Sequence, residues 1–377
     1  MFTNPLGIRL VLLLGPTVPL PASAEIMSAL TKVEVTNDSG AGDGFQMTFA
    51  LARSGIADYG LLQSGAVSPL TRVVIGVIFG ALPEVLLDGV ITHHQFNPGA
   101  AAGQATLTVT GRDLTALMDL EEKNASFENQ PDFLIVTQVL GSYTRYGLVP
   151  APAPTTDVPL SLQRIPRQQE TDLQFLRRLA QENGFVFYLE PLTFGVSTAF
   201  WGPENRLGIP QPALSVNLGS ATNVKSLAFS LDALAPVATK GTFVEPITRT
   251  SIPIPALPAL KVPPLAALPM LPHRTTIDRG TANASPTTAA TRVLASMTNS
   301  PDAATANGEV DSTRYGAALR ARKLVGVRGA GWTHDGLWYV RRVTHTHTLT
   351  PGAGAHYSQS FSLSREGVGS LTPILPS

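Results

Sequence analysis

The chain has 377 residues, of which 44% are apolar and only 14% are charged, whereas an average soluble domain has about 25% charged residues. Lys+Arg and Asp+Glu both number 27, so the formal net charge is zero, which argues against a nucleic-acid-binding protein with its usual basic excess. The sequence contains no cysteine, which excludes disulfides, thiolate metal sites and cysteine nucleophiles.

The length is enough for two or three domains, and the 33 glycines and 31 prolines indicate a β-rich fold with many turns. No run approaches the roughly 18 apolar residues that a membrane-spanning helix needs. We therefore expect this charge-poor surface to be buried against other protein chains, without direct membrane insertion.

Two interpretations fit the N-terminus. Arg9, the apolar residues 10–14 and the triplet Ala22-Ser23-Ala24 resemble a secretory signal peptide. The apolar run is short, however, and Gly15-Pro16 ends it. A first β-strand followed by a turn and a short second strand fits equally well, and we favour it over cleavage.

Residues 29–110 are predicted to form strands. Apolar and polar residues alternate over residues 30–36, 45–51 and 106–110, as is typical of half-buried strands. The glycines between residues 40 and 44 predict a hairpin loop. Further strands are expected at 73–79 and 86–96, with a turn at Asp88-Gly89.

The spacing becomes helical after residue 113. Helices are predicted at 114–121, at 133–146 with Asp132 as its cap, and at 172–183. Thr171 and Gln174 form a capping-box pattern before the last of these helices, and Gly184 is placed to end it. A buried strand is expected at 185–189.

Residues 251–272 contain seven prolines. This segment is predicted to form neither a helix nor a strand ladder and to lie extended on an apolar surface. Helices are expected at 286–299 and from Ser312 to about Arg322. The end of the chain is predicted to be β-structure at 324–327, 337–349 and 357–364, with turns at 335–336 and 351–354.

Two histidine pairs are candidate metal ligands, His93-His94 and His345-Thr346-His347. The second pattern puts both rings on one face of a strand. No further histidine or carboxylate lies nearby in either motif, so polar positions on strand faces or at an interface are the preferred interpretation.

No enzyme motif is present. The paired carboxylates Glu84 and Asp88, and Glu121 and Glu122, have no context that would raise a pKa for acid–base catalysis. The glycines at 40, 42 and 44 open no helix, and the segment 326–331 leads into a strand, so neither predicts a phosphate-binding loop. We predict no catalytic, cofactor-binding or metal-binding residues, no cofactor, and no enzymatic activity.

Three segments, in order, resemble one family: the phage late-control D proteins and the hub portion of VgrG proteins. The most specific is the block from Gln169 to Ala180 with Asn183-Gly184-Phe185 after it. The other two blocks are Leu87-Asp88-Gly89-Val90-Ile91 with Ala105–Val109 and Gly111-Arg112-Asp113, and the closing region from Tyr315-Gly316 through Gly326-Val327-Arg328, Asp335-Gly336 and Val343-Thr344-His345 to Tyr357-Ser358-Gln359.

The resemblance implies a β-rich α+β fold, with two tube-like β-barrel domains and an inserted α/β portion, that assembles as a trimeric pseudo-hexameric ring. The expected divisions are 1–110 for the first barrel, 111–204 for the insert, 205–235 with 308–368 for the second barrel, 236–307 for the Pro-rich segment plus a helix, and 369–377 for a tail. VgrG proteins continue into an OB domain and a spike, whereas about ten residues follow Gly367 here. We therefore expect the spike to be a separate chain.

The function implied is a structural baseplate hub subunit of a contractile phage tail or phage-tail-like injection system, which adapts a hexameric inner tube to a trimeric spike. The expected partners are two further copies of the chain, a spike protein, an inner-tube or tube-initiator protein and other baseplate components, with no specific nucleic acid. Assembly is expected in the bacterial cytoplasm, within a phage tail or injection particle.

Two alternatives belong to other classes. A secreted carbohydrate-binding β-protein would use exposed aromatic residues such as Trp201, Trp332 and Trp338, which we expect instead to be buried or at subunit contacts. A secreted polysaccharide-degrading enzyme would require cleavage after Ala24.

Overall fold

The computed structural model describes residues 7–54, 58–80, 82–101, 103–155, 165–244, 250–257, 261–278, 286–350 and 354–371. In chain order, the strands are β1 (Ile8–Gly15), β2 (Leu20–Pro21), β3 (Leu30–Asp38), β4 (Gly44–Leu51), β5 (Arg53–Ser54), β6 (Asp58–Tyr59), β7 (Arg72–Phe79), β8 (Leu82–Asn97), β9 (Ala105–Asp113), β10 (Glu122–Ser126), β11 (Leu148–Pro152), β12 (Arg167–Thr171), β13 (Val186–Thr193), β14 (Val196–Gly202), β15 (Gln211–Ser215), β16 (Val224–Leu231), β17 (Val237–Val244), β18 (Ser251–Leu257), β19 (Ala266–Pro269), β20 (Arg274–Asp278), β21 (Ala304–Val310), β22 (Leu324–Arg328), β23 (Gly336–Thr350), β24 (Gly354–Arg365) and β25 (Gly367–Ser370).

The helices are short and few. The α-helices are α1 (Ala24–Ala29), α2 (Gly60–Gln63), α3 (Asp132–Gly141), α4 (Asp172–Asn183), α5 (Pro286–Thr298) and α6 (Ser312–Tyr315), and 3-10 turns lie at Leu114–Asp119, Thr144–Tyr146 and Gly219–Ala221.

One curled sheet of 13 strands organises the molecule, in the order β16-β21-β24-β23-β3-β4-β9-β8-β7-β1-β2, with β22 also paired to β23 and β15 to β22. We call the strands from β3 to β1 the first half-barrel, and β15, β16 and β21–β24 the second half-barrel. The long strand β23 joins them, because its residues from Arg342 to Thr348 pair with β3. The two β-regions are therefore parts of one continuous sheet.

The period of two in the sequence places the core on one face of this sheet. In β9, for example, Ala105, Leu107 and Val109 are buried while the threonines between them are partly exposed. The first half-barrel encloses one apolar cluster, which includes Met47, Phe49 and Leu107. The second encloses another, which includes Trp338 and Leu363.

A smaller α/β unit lies between the half-barrels in sequence. It contains α3, α4, the pair β10–β12 and the sheet β11-β14-β13, and it has its own apolar cluster around Phe175, Leu176 and Trp201. The predicted limits of α4 are confirmed: the Thr171 hydroxyl accepts the Gln174 N–H, and Gly184 caps the C-terminus in the left-handed conformation. Val90 of β8 also joins this cluster, so the unit packs on the first half-barrel.

The strand predicted at the N-terminus is confirmed as β1, which pairs with β7 over eight residues. The hairpin loop predicted around Gly42 is also confirmed between β3 and β4, as are α5 and the three closing strands.

Several sequence predictions were wrong. Asp88-Gly89 is not a turn, because β8 runs through it as one 16-residue strand. The helix expected from Ser312 to Arg322 ends at Tyr315, where Gly316 adopts the left-handed conformation. Asp132 is the first residue of α3, and Pro131 is its N-cap. The helix expected to reach residue 146 ends at Gly141 and is followed by a separate 3-10 turn at Thr144–Tyr146.

The prolines of the Pro-rich segment do not prevent strand pairing, contrary to our prediction. Strand β18 pairs with β17 even though it contains Pro253 and Pro255, and β19 pairs with β25. The physical reason is position: β18 and β20 are the outer strands of the sheet β18-β17-β20, where a missing N–H is tolerated. The expected apolar contact does exist at Leu265, which is buried with Tyr339.

Candidate assembly site

The two histidine pairs lie on β8 and β23, two strands that β3, β4 and β9 separate in the large sheet. His93 and His94 are on β8, whereas His345 and His347 are buried on the core side of β23. His345 lies 2.7 Å from the Tyr357 hydroxyl through Nδ1. Within the described ranges, no three His, Asp or Glu side chains are grouped so that they could hold a metal ion.

Burial makes these imidazoles weak bases. Desolvation, followed by the Arg320 cation, lowers the pKa of His345 to about 3. Desolvation, followed by His356, lowers the pKa of His347 to about 4. Neither ring nitrogen of His347 has a hydrogen-bond partner, so the ring acts as a neutral filler of the core.

Of the candidate acid–base carboxylates, Glu84 and Asp88 have separate structural partners. Asp88 is fully buried on β8 and forms a bidentate pair with Arg72 of β7, at 2.8 and 2.6 Å. The same guanidinium donates to the carbonyl oxygens of Tyr146 (2.8 Å), Gly195 (3.0 Å) and Thr17 (2.9 Å). Arg72 thus fastens the α/β unit to the first half-barrel.

The other three carboxylates of that set have surface positions. Glu84 pairs with Arg320 of the second half-barrel at 3.0 Å and is partly exposed. Glu121 and Glu122 are exposed at the start of β10. No two of the four converge on a common pocket.

A second buried joint connects the two half-barrels. Arg322 donates to both carboxylate oxygens of Asp43 and, at 2.7 Å, to the carbonyl oxygen of Asp38. Asp113 lies beside this pair and accepts the Thr115 N–H at 3.2 Å. Burial and then the Asp43 carboxylate raise the pKa of Asp113 to about 6. Asp113 therefore lies at the contact between the half-barrels and the α/β unit.

A third joint holds the Pro-rich segment. Lys261 donates to Asp302 at 2.7 Å, and the backbone N–H of Ala266 donates to Glu366 at 2.8 Å. Burial raises the pKa of Asp302, but the neighbouring Lys261, Arg341 and Arg206 cations outweigh it and hold that pKa well below its usual range. The network has three acidic and three basic members, Glu204, Arg206, Lys261, Asp302, Arg341 and Glu366.

Two glycines of the resemblance block that begins at Leu87 lie where β8 and β9 approach each other closely. A Cβ atom on Gly89 would overlap the carbonyl oxygen of Arg112, and one on Gly111 would overlap the Val90 carbonyl oxygen and the Phe45 ring. Only glycine allows β8 and β9 to pair at this point. This explains an Asp-Gly pair inside a strand.

The tryptophans form no common platform. Trp201 and Trp338 are fully buried, and their indole N–H groups donate to the carbonyl oxygens of Leu176 and His334. Trp332 is 59% exposed. The expectation of burial is confirmed for two of the three.

The two ends of the large sheet are open strand edges among the described residues. At one end, β16 pairs only with β21. Its residues Leu227, Phe229 and Leu231 face the core side, and Leu231 is 49% exposed. The strand contains no proline, and its one charged residue, Lys225, is paired with Glu309.

At the other end, β2 covers only Leu13 and Leu14 of β1. The outer edge of residues 8–11 has no strand partner in the described chain, and Ile8 and Leu10 face the core. Soluble proteins normally protect an open apolar edge with prolines, inward charges or a covering segment. Among the described residues, neither the β16 edge nor the outer edge of residues 8–11 has such protection, so both are candidate assembly sites.

Residues 77–199 match a family model described as the phage tail baseplate hub (GPD). This part of the chain is therefore similar to the phage tail baseplate hub family. The match runs from the end of β7 to β14 and therefore includes Asp88, Gly89, Asp113 and α4. No curated protein matches the sequence significantly.

Solved structures extend the likeness to nearly the whole chain. The tail protein from Neisseria meningitidis MC58 has a TM-score of 0.61 at 14% identity, over 96% of this chain and 98% of that one. The 43 kDa tail protein of prophage MuSo2 from Shewanella oneidensis has a TM-score of 0.61 at 15% identity, over 95% and 98%. An Escherichia coli component of the type VI secretion system, itself similar to the T4 tail proteins gp27 and gp5, has a TM-score of 0.55 at 14% identity, over 92% and 76%. At these identities the likeness shows a tail-hub fold.

The buried joints were not found from the sequence. Arg72 and Tyr146 are 74 positions apart, and Arg322 and Asp43 are 279 apart, so no local pattern connects them. The sequence held one signal for these joints: Asp88, a charged residue next to Gly89 inside an otherwise apolar strand. Within the described residues, the structure also has no helix with the length and apolar character needed to cross a membrane.

Proposed function

We propose that this chain is a non-catalytic baseplate hub subunit that assembles head to tail into a homotrimeric, pseudo-hexameric ring. The observation that carries the proposal is the pair of open edges, β16 and β1, at opposite ends of one continuous sheet. Each edge presents apolar side chains on the core side, so pairing them would join the core of one copy to that of the next.

The two edges differ in sequence, so this contact is heterologous and closes into a ring when the rotation per copy is suitable. Three copies with two half-barrels each supply six half-barrels. The six half-barrels match a hexameric inner tube on one side, and the three copies match a trimeric spike on the other. The proposed partners are thus a tube or tube-initiator protein, a separate spike protein and other baseplate components, with assembly in the bacterial cytoplasm.

The proposed division of labour follows the sequence divisions: residues 1–110 and 205–235 with 308–368 build the ring, and 111–204 supports it from one face. The Arg72–Asp88 and Arg322–Asp43 pairs hold these parts together. A rigid scaffold is what an adapter between two rings requires.

The experiment is a measurement of molar mass by light scattering with Leu231→Glu as the test variant. The wild type should give three times the protomer mass. Leu231→Glu puts an unpaired charge on the apolar side of the β16 edge and should give protomers. Leu192→Glu, at a 64% exposed leucine of the α/β unit, is the matched control and should remain trimeric. A wild-type protomer at high concentration would refute the proposal.

A further inference from the structure

A cleft lies between the start of β13 and the hairpin loop that joins β3 to β4. Its volume is about 430 Å³, which is within the range of sites that hold ligands. Residues 185–188 form one wall, and the loop residues Ser39, Gly40 and Gly42 form another. Arg177 of α4 also lines the cleft. The cleft is therefore an opening between the α/β unit and the first half-barrel.

The wall at β13 is an unprotected strand edge. β13 is an outer strand of the sheet β11-β14-β13, and no second strand of the described chain pairs with it. The opposite edge, β11, contains Pro150 and Pro152, a usual protection of an edge against further pairing. Residues 185–188 contain neither a proline nor a charge, and Glu190 and Pro191 come only further along the strand. The part of β13 that faces the cleft is thus open to another strand.

The hydrogen bonds of β14 show the direction of the Phe187 main chain. The carbonyl oxygen of Trp201 accepts the Ala153 N–H at 2.7 Å, so the polar groups of Trp201 point toward β11 and away from β13. Phe187 is the register partner of Trp201, and directly opposite residues of an antiparallel pair exchange either both hydrogen bonds or neither. The N–H and C=O of Phe187 therefore point to the outer edge. No protein partner for them is found among the described residues, so they can bond to an added strand.

Arg177 adds a positive charge to the cleft. Its side chain is exposed, and a Cβ atom on Gly42 would lie 3.2 Å from its guanidinium, so the side chain extends along the loop. Within the described part of the chain it has no carboxylate partner. The neighbouring Arg178, in contrast, pairs with Glu170 at 2.7 Å. The cleft thus presents one cation that is available to a ligand.

The other charges of the cleft have partners inside the chain. The ion pairs are Asp38 with Arg342 and Arg322 with Asp43. Asp113 is 4% exposed and accepts the Thr115 N–H at 3.2 Å. The charge that remains to be matched is that of Arg177, and a carboxylate matches a guanidinium best.

We propose that this cleft receives an extended acidic segment of a partner protein, which adds to β13 as a further strand. The main chain of the segment exchanges hydrogen bonds with Phe187. A residue opposite Phe187 directs its side chain to the same side of the sheet, where Phe187 packs against the apolar cluster that includes α4. An Asp or Glu at that position is therefore placed on the side of Arg177.

In strand addition of this kind the main chain supplies affinity and alternate side chains supply specificity. The inference does not depend on the proposed ring, because β13 is neither of the two edges that the ring uses.

The test captures a peptide by a disulfide at Ser39→Cys, and the chain has no cysteine of its own to compete. The probe is acetyl-Thr-Val-Glu-Val-Thr-Cys-amide, equilibrated with the protein in excess β-mercaptoethanol, and the captured fraction is read from the intact mass. One matched probe has Gln in place of Glu. Two others carry N-methyl groups on alternate amides and together cover both registers. Gln138→Cys, on the exposed side of α3, is the control site.

The Glu peptide should be captured about tenfold better at Ser39→Cys than at Gln138→Cys, since two main-chain hydrogen bonds together contribute on the order of a tenfold preference. Hydrogen exchange at the Phe187 amide should slow by at least about tenfold in the captured protein. At least one of the N-methylated peptides should lose the preference, because its methyl groups replace the donors that face β13.

Arg177 is tested by a second substitution in the Ser39→Cys protein. Arg177→Gln should lower capture of the Glu peptide by up to about fivefold, to the level of the Gln peptide. Arg145→Gln, at an exposed arginine of the α/β unit that does not line the cleft, should leave it unchanged.

Equal capture at the two cysteines, or equal capture of the Glu peptide and both N-methylated peptides, would overturn the inference. A Phe187 amide that is already protected in the protein alone would show that the chain itself fills the cleft, which would overturn it as well. None of these readouts depends on whether the wild type is a trimer, so a failure here is distinct from a failure of the proposed ring.

Discussion

Arg72 illustrates how one side chain connects separate parts of this fold. It is 4% exposed, pairs with the buried Asp88 and donates to the backbone of the α/β unit. An arginine with this many buried acceptors cannot be removed without leaving a carboxylate unpaired in the interior. Breaking such a pair typically costs about 3–5 kcal/mol.

Arg72→Met is therefore expected to lower the free energy of unfolding by about 3–5 kcal/mol, as measured by urea denaturation. Lys32→Met is the matched control, because the Lys32–Glu34 pair is a surface pair with side chains 41% and 32% exposed. Its loss should cost less than about 1 kcal/mol. Equal effects of the two substitutions would show that the Arg72–Asp88 pair contributes no more to the free energy of unfolding than a surface pair does.

His347 predicts a pH dependence. Its pKa is lowered by burial to about 4, below the value near 6.5 in an unfolded chain. Below pH 6.5 the unfolded chain binds a proton that the folded chain does not, so stability is complete above about pH 6.5 and falls until the pH reaches about 4. The loss from this one residue is up to about 3 kcal/mol.

The variant His347→Leu isolates this effect. Because neither ring nitrogen has a partner, leucine loses no hydrogen bond, and stability at pH 7.5 should be unchanged or higher. The urea midpoint should fall less between pH 7.5 and pH 4.5 than in the wild type. Asp113, whose raised pKa acts in the opposite sense, is present in both proteins and cancels from the comparison. An identical pH profile for the two proteins would contradict the prediction.

At the scale of the element, β8 depends on a residue that sequence rules assign to turns. A Cβ atom at Gly89 would overlap the Arg112 carbonyl oxygen of β9. Gly89→Ala should therefore force the strands apart and cost about 1–3 kcal/mol or more, as overpacking does. Gly141→Ala, at a helical glycine with nothing within 4 Å of the added atom, should be neutral or stabilise by up to about 1 kcal/mol. Thermal unfolding of the two alanine variants measures the contrast.

The same elements show what a sequence can and cannot predict. Helix α4 was predictable because its signals are local: the Thr171 cap, an apolar stripe and Gly184 lie within 14 consecutive positions. Strand β8 was mispredicted because the reason for Gly89 lies on another strand. The pairing of β18 depends on its place at the edge of a sheet, which the prolines themselves do not reveal.

The candidate site was predictable only in kind. The low content of charged residues predicts that much of the surface is buried against other chains. The alternation of apolar and polar residues predicts which face of β9 is buried. The open edges did not follow, since whether β16 has a second neighbour depends on the order of all 13 strands. The buried joints depend in the same way on residues brought together by the fold, as Arg322 and Asp43 are.

At the scale of the whole molecule, the two ends of the sheet determine which symmetry is possible. A contact between β16 of one copy and β1 of the next leaves a free β1 edge on the first copy and a free β16 edge on the second. Copies can then be added until the last β16 meets the first β1. A two-fold contact, in contrast, would pair β16 with β16 and end at a dimer.

Cross-linking separates these outcomes. A protein with both Val11→Cys and Ala228→Cys carries one thiol on each edge strand, and a short bismaleimide should link it into a series of bands that ends at the trimer. Each single variant should stay unlinked, because its thiols would lie on different contacts. Linking of Ala228→Cys alone, or a series that ends at the dimer, would refute the head-to-tail ring. A series that continues beyond the trimer would show that the edges pair as proposed but that the rotation per copy does not close at three.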